Sequence, residues 1–397
     1  MGTATFTPAS TALPGTSARA ATVPWHLFGA VFGATSIVIG VIWDISWHMT
    51  IGRDSFWTPA HLAMYLGGLV AGVSSGWTVL QSTFAPPTSA HRQSSVQFWH
   101  FFHGPLGAWV CIWGTFAMLT SAPFDDWWHN AYGLDVEILS PPHSVLALGM
   151  IAVAFGALLL ALGLQNRSSD EMRARYGAMF AYAGGILVVF VSVLTTEYAD
   201  RGLMHSSIFY KVMCGVFPFV LVGLARASSL RWPATTIAAV YSAIMILMGW
   251  ILPLFPAEPK LAPIYQNVTH MVPMDFPLLL VVPAFAIDIV MRRMSGRRND
   301  WILAAALGVA FLATLAVAQW PFANFLQSTA SQNRVFFTDN YYYAMPSQSH
   351  TVRRLFYPMG ETTAGLLTGI LLVAPVIAIA SARAGLGWGK WMTRVRR

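Results

Sequence analysis

Asp44, His48 and His61 stand in one stretch, WDISWHMTIGRDSFWTPAH, between two long apolar runs. The pattern returns in DDWWHNAYGLDVEILSPPH, which carries Asp125, His129 and His143. Aligning the two pairs the Asp-x-x-x-His couple, then Gly52 with Gly133, Asp54 with Asp135, Pro59 with Pro141 or Pro142, and last the second histidine. Two imidazoles and a carboxylate suit zinc, copper, iron or nickel, and three protein ligands leave a position open for water or substrate. The plain alternative is a set of polar residues at helix ends, at an interface where His, Asp and Trp are at home. One such histidine is ordinary, but repetition of the whole spacing favours a metal, because ionisable groups at the ends of apolar helices are costly unless they act. Neither triplet is a soluble zinc motif of the HExxH kind.

The elements that must position these residues are membrane helices. The 397-residue chain is 56% hydrophobic and only 10% charged, a balance that excludes an ordinary soluble protein of this size. Apolar runs predict ten spans, at 25–48, 58–82, 98–121, 142–164, 175–197, 206–227, 233–254, 268–291, 301–321 and 361–383. The expected fold is therefore all-α, a polytopic bundle of about ten transmembrane helices. It divides into a flexible tail (1–22), a four-helix metal-binding half (23–165), a six-helix half (166–384) with a long outer loop at 321–360, and a basic tail (385–397). The tail at 1–22 has neither a basic start nor an apolar core before a cleavage site, so the first span is expected to be its own insertion signal. Cys111 and Cys214 fall inside spans and read as small buried hydrophobes.

The net charge of +7 does not point to nucleic acid, because the basic residues sit in short runs between spans and at the C-terminus. With the N-terminus cytoplasmic, 16 of the 23 basic residues fall on inner segments, so both termini are expected inside. Both triplets then lie at the outer face. Asp44 and His48, spaced i and i+4, share a helix face, and the return loop brings His61 into the next helix. Pro59 and the Pro141-Pro142 pair suit the first turn of each returning helix.

Other polar residues have plainer readings. His100 and His103 lie at the inner end of the third span and read as interfacial or interhelical hydrogen-bonding groups. Asp288 and Arg292 read as a snorkelling i, i+4 pair. Glu197, His205, His270 and Asp275 lie at outer ends of later spans, where they could support the ligating imidazoles, as could Asp54 and Asp135 beside the triplets. Trp47, Trp57, Trp127, Trp128 and Tyr132 form an interfacial belt, or wall an apolar substrate pocket.

Trp43-Asp44, Ser46-Trp47-His48, Arg53-Asp54, Phe56, Thr58-Pro59 and His61 resemble the copper-ligand segment of the C subunit of particulate methane and ammonia monooxygenases, the copper membrane monooxygenase family. That family binds copper in the membrane through Asp-x3-His-x12-His, which Asp44, His48 and His61 match. A second copper site of the family has the form Asn-x3-His-x13-His; Asp125, His129 and His143 match its spacing and order, with Asp125 where the family carries Asn. The resemblance covers about residues 40–150. It implies a bacterial inner-membrane oxidoreductase, or its metal-bearing subunit. One or two copper ions on the periplasmic side would activate dioxygen to hydroxylate a small apolar substrate. It also implies other membrane subunits. With no flavin, nicotinamide or haem site in the sequence, electrons must come from an external donor such as quinol. The donor types alone also suit zinc or iron. Two other functions stay open: a copper-handling membrane protein without oxidation chemistry, and a zinc-dependent hydrolase using Asp54 or Asp135 as general base.

Overall fold

The computed structural model describes residues 23–337 and 361–397, apart from 53, 134–139, 261–267, 295, 297 and 298. Among the described residues, nine helices are long and apolar enough to cross a membrane. They are α1 (Trp25–Thr50), α2 (Pro59–Phe84), α3 (Leu106–Tyr132), α4 (Pro141–Gln165), α5 (Asp170–Leu194), α6 (Ser207–Ala227) and α7 (Pro233–Ile251), followed, after a shorter helix α8 (Val281–Arg293), by α9 (Asp300–Leu326) and α10 (Thr363–Met392). The protein is an integral membrane helical bundle. Between α2 and α3 a small hairpin pairs β1 (Val96–Phe98) with β2 (Phe102–Gly104), Gln97 opposite His103.

Lipid gives helices no hydrophobic reason to associate, so close packing between small residues must hold them together. α1 and α2 touch backbone to backbone where Gly33 and Gly67 meet, and α3 and α4 do so where Gly114 meets Gly149. Each pair is an antiparallel hairpin. The turn ends of both hairpins, carrying the two triplets, lie at the same end of the bundle.

The sequence predicts a continuous eighth span at 268–291, and the structure corrects this. Residues 268–279 contain no helix, and α8 starts only at Val281. Pro273 and Pro277 explain the break, since each lacks an N–H and clashes with the preceding turn. Extended backbone in a membrane must have its polar groups satisfied by protein. Here buried side chains do this: Val272 N donates to Thr50 Oγ1 at 2.8 Å, Ser46 Oγ donates to the Val272 carbonyl at 2.6 Å, Leu278 N donates to Tyr241 Oη at 3.1 Å and Leu279 N to Gln319 Oε1 at 3.0 Å. The chain still passes from one end of the bundle to the other. Val272 lies beside Thr50 near the triplets, while Asp288 on α8 accepts from Ala234 N and Thr235 N in the first turn of α7. Asp288 is thus a buried helix cap and not simply half of a surface pair with Arg292.

Three other boundaries differ from the sequence reading. α3 begins after the β-hairpin and runs on to Tyr132, so Asp125 and His129 sit inside a helix as Asp44 and His48 do. α9 continues through Pro321 to Leu326. The tail at 1–22 and most of the loop at 321–360 lie outside the described residues. The helix order gives a direct topological expectation: reporter fusions after Arg167 and after Arg231 should report one side of the membrane, and a fusion after Lys260 the other. Protease or alkylation mapping that put Arg167 and Lys260 on one side would separate the triplets and break the bundle.

Candidate metal centre

Each triplet is built by a helix end, a glycine turn and a returning helix. At the first, the N–H groups of Ile51 and Gly52 both bond to the Trp47 carbonyl, and Gly52 takes φ of 77°. At the second, Gly133 N donates to the His129 carbonyl and Gly133 takes φ of 97°. Both are left-handed positions that glycine accepts without a steric penalty, so the glycines aligned in sequence do the same work in the fold. Pro59 and Pro141 open the returning helices, and Ser140 Oγ accepts from His143 N to cap α4. His129 Nδ1 donates to the Gly133 carbonyl at 3.3 Å, which leaves its Nε2 as the lone-pair nitrogen.

The side chains then converge in the same way twice. Asp44 Oδ1 lies 3.1 Å from His61 Nε2 and Asp44 Oδ2 lies 3.8 Å from His48 Nε2. Asp125 Oδ1 lies 3.1 Å from His143 Nε2 and Asp125 Oδ2 lies 3.4 Å from His129 Nε2. In each case the aspartate turns one oxygen to the histidine of its own helix and the other to the histidine of the returning helix. The sequence repeat is therefore a structural repeat.

Asp54 joins the first group. Its Oδ2 lies 3.4 Å from His61 Nε2 and 3.5 Å from His48 Nε2, and Asp44, Asp54 and His61 offer ligand atoms all within 4.8 Å of one another. His48 hydrogen-bonds to Asp54 and holds its carboxyl below the usual carboxylate range, against the opposing effect of burial. The sequence pattern ranks Asp54 as a supporting residue; the turn at Gly52 folds it back into the ring of donors. Asp125, His129 and His143 form the second donor group, likewise within 4.8 Å. Asp135, the counterpart of Asp54, lies outside the described residues.

These separations test whether a metal fits. Four donors at about 2.0–2.2 Å from a tetrahedral ion lie about 3.3–3.6 Å apart. The imidazole-to-carboxylate distances of 3.1 and 3.4 Å within the compact set of Asp44, Asp54 and His61 come close to that value, and His48, outside that set, faces the same two carboxylates at 3.8 and 3.5 Å. Asp44 Oδ1 and Asp125 Oδ1 are buried and each faces an imidazole nitrogen 3.1 Å away. Buried carboxylate oxygens and imidazole nitrogens directed at a shared point are what a cation requires. The donor sets fit a divalent metal.

The surroundings are aromatic and acidic. Phe56 packs on Tyr65 with ring centroids 5.1 Å apart, and Tyr65 lies one turn beyond His61, within electrostatic reach of Asp44, Asp54, Asp125 and Asp126. Tyr65 thus relates the two groups, each of which is a compact donor set of its own among the described residues. Trp128 packs on Tyr132 at 4.5 Å, while Trp57 and Trp127 are exposed, as an interfacial belt requires.

The other candidates sit in the second half of the chain, outside both donor groups. Asp275 pairs with the buried Arg201 at 2.8 Å, and burial beside Asp275 pushes the neighbouring Asp200 carboxyl up. His205 is buried edge-on to Trp320. Glu197 is exposed on the short helix Thr196–Ala199, and His270 Nδ1 lies 2.9 Å from Thr269 Oγ1. His103 is held by Ser95 and Thr83 at the far end of the bundle, and His100 takes φ of 59° in the hairpin turn. No family model, curated protein or solved structure matches the chain.

Proposed function

We propose that this chain is a membrane-embedded copper-binding oxidoreductase, or the metal-bearing subunit of one, that uses dioxygen to hydroxylate a small apolar substrate. The observation that carries the reading is the repeated donor set at one end of the bundle, each aspartate shared between two histidines. Asp44, His48, Asp54 and His61 would hold one ion, and Asp125, His129 and His143 a second. Copper bound there would supply the binding and reduction of dioxygen. The resemblance of the two motifs to the copper membrane monooxygenases supports copper over zinc or iron.

The chain's own residues supply the rest. The half-buried carboxylates place negative charge where a cation is to be held, and Tyr65, 6.3 Å from the His61 ring and packed on Phe56, would supply apolar surface for a substrate arriving from lipid. Hydroxylation of R–H by dioxygen gives R–OH and water and consumes two electrons and two protons. An external donor of the quinol class would deliver both, with partner subunits to conduct them. The distribution of arginines supports cytoplasmic termini and metal groups at the outer face, and the resemblance implies a bacterial inner membrane with that face periplasmic.

One observation favours a second reading. The His48 and His143 side chains are 37% and 33% exposed, which suits exchange of a metal with the surrounding medium and hence a copper-handling protein without oxidation chemistry. Element-resolved metal analysis of the protein purified in lipid, followed by dioxygen consumption with a quinol and a short alkane, separates the readings. Copper with substrate-dependent oxygen uptake supports the oxidoreductase, copper without it the handling protein, and zinc alone overturns both.

A further inference from the structure

At the end of the bundle opposite the donor groups, Arg231, Trp232, Ile289, Arg292 and Arg293 line an open cleft of about 500 Å³. Among the described residues its lining carries three guanidinium groups and no carboxylate. Asp288, the acid on α8, is 1% exposed; its oxygens accept from Ala234 N, Thr235 N and Thr235 Oγ1, and its charge also acts on Arg292. The Arg226 guanidinium at the same end pairs with Asp300 at 3.4 Å. The floor of the cleft is aromatic: the Arg292 guanidinium lies 4.3 Å over the Trp232 ring, on which Phe285 stacks at 5.3 Å.

The apolar part of the cleft is continuous with the membrane face of α8. Val282, Phe285, Ile289 and Arg292–Arg293 follow one another at helical spacing, so a single stripe runs from exposed apolar side chains to guanidinium groups. Cationic groups at the mouth, an indole at interface depth and an apolar strip leading into the bilayer complement an anionic headgroup with acyl chains, and not a freely soluble anion.

We propose that this cleft is a binding site for an anionic phospholipid, its phosphate held by Arg231, Arg292 and Arg293 and its chains lying along Phe285 and Val282. The site is independent of the metal reading. The test reconstitutes the full chain in nanodiscs of phosphatidylcholine with phosphatidylglycerol and counts retained lipids by native mass spectrometry. Wild type should retain phosphatidylglycerol in preference to phosphatidylcholine. Retention should fall roughly fivefold for each arginine replaced among Arg231→Gln, Arg292→Gln and Arg293→Gln. A matched variant carrying Arg175→Gln, Arg394→Gln and Arg396→Gln, exposed arginines of the same membrane side, should retain it as wild type does. Should the cleft triple variant fail to fold, Arg293→Gln alone gives the same reading. Equal loss in both triple variants would mean diffuse surface charge and overturn the proposal, as would unchanged retention in the cleft variants. Displacement of the lipid by millimolar inorganic phosphate would identify a free-anion site and also overturn it.

Discussion

Replacing Asp125 by alanine is expected to empty one metal site and leave the other filled. Among the described residues Asp125 is the one carboxylate in its donor group, and it faces both His129 and His143. Without it the described donors of this group are two imidazoles on two different helices. Residues that merely support ligands are worth about 10–100-fold in metal affinity, so loss of this shared ligand should weaken binding by at least about 100-fold. Asp125→Asn keeps one oxygen donor and should lose less. The matching change in the first group, Asp44→Ala, should also be milder, because Asp54 keeps a carboxylate within 3.5 Å of both histidines. Metal-to-protein ratios measured after equilibration with chelators of graded affinity would order the variants as Asp125→Ala weakest, then Asp125→Asn and Asp44→Ala, with His103→Ala unchanged. Equal ratios in all four would leave the histidines as interfacial hydrogen-bonding groups and remove the basis for a metal centre.

The asymmetry between Asp44 and Asp125 was only half legible in the sequence. Spacing alone predicts that Asp44 and His48 share a helix face, that His61 returns to them, and that a second set does the same. Chemistry that depends on i, i+4 geometry and a short return loop is local, and local patterns survive in sequence. The role of Asp54 depends on the backbone at Gly52, whose positive φ decides whether the following residues point away from the ligands or back toward them. The aligned glycines were the available signal. The broken eighth span was misread for a different reason. MVPMDFPLLL is as apolar as a membrane helix, and hydropathy does not register what two prolines do to backbone hydrogen bonding. The groups that make the extended segment tolerable, Ser46, Thr50, Tyr241 and Gln319, come from three other helices, and no pattern along the chain announces them. Asp275 shows the same limit. Its depth in an apolar run suggested a partner for the ligating imidazoles, and nothing along the chain announces its pairing with Arg201, more than seventy residues away in sequence.

Gly114→Leu is expected to cost the protein both stability and its second metal group, although Gly114 touches neither ligand. A Cβ at this position would lie 2.7 Å from the Gly149 carbonyl oxygen and 2.8 Å from Val153 N. Both are backbone atoms of α4, so no side chain can swing aside, and the two helices must separate. Overpacking of this kind costs about 3 kcal/mol, the upper part of the usual range, because the strain cannot be relieved by a rotamer change. Separation has a specific consequence further along the hairpin. Asp125 on α3 reaches His143 on α4 across 3.1 Å, and a metal held between them tolerates little change in that distance. The first donor group rests on the contact of α1 with α2, which does not involve Gly114, so its metal should stay. Gly76→Leu is the matched comparison, for a Cβ there would meet nothing within 4 Å. In lipid nanodiscs, Gly114→Leu should therefore show a lower unfolding temperature and the loss of one metal equivalent, and Gly76→Leu neither. A variant that unfolds early yet keeps both metals would show that the hairpin crossing does not set the geometry of the second group.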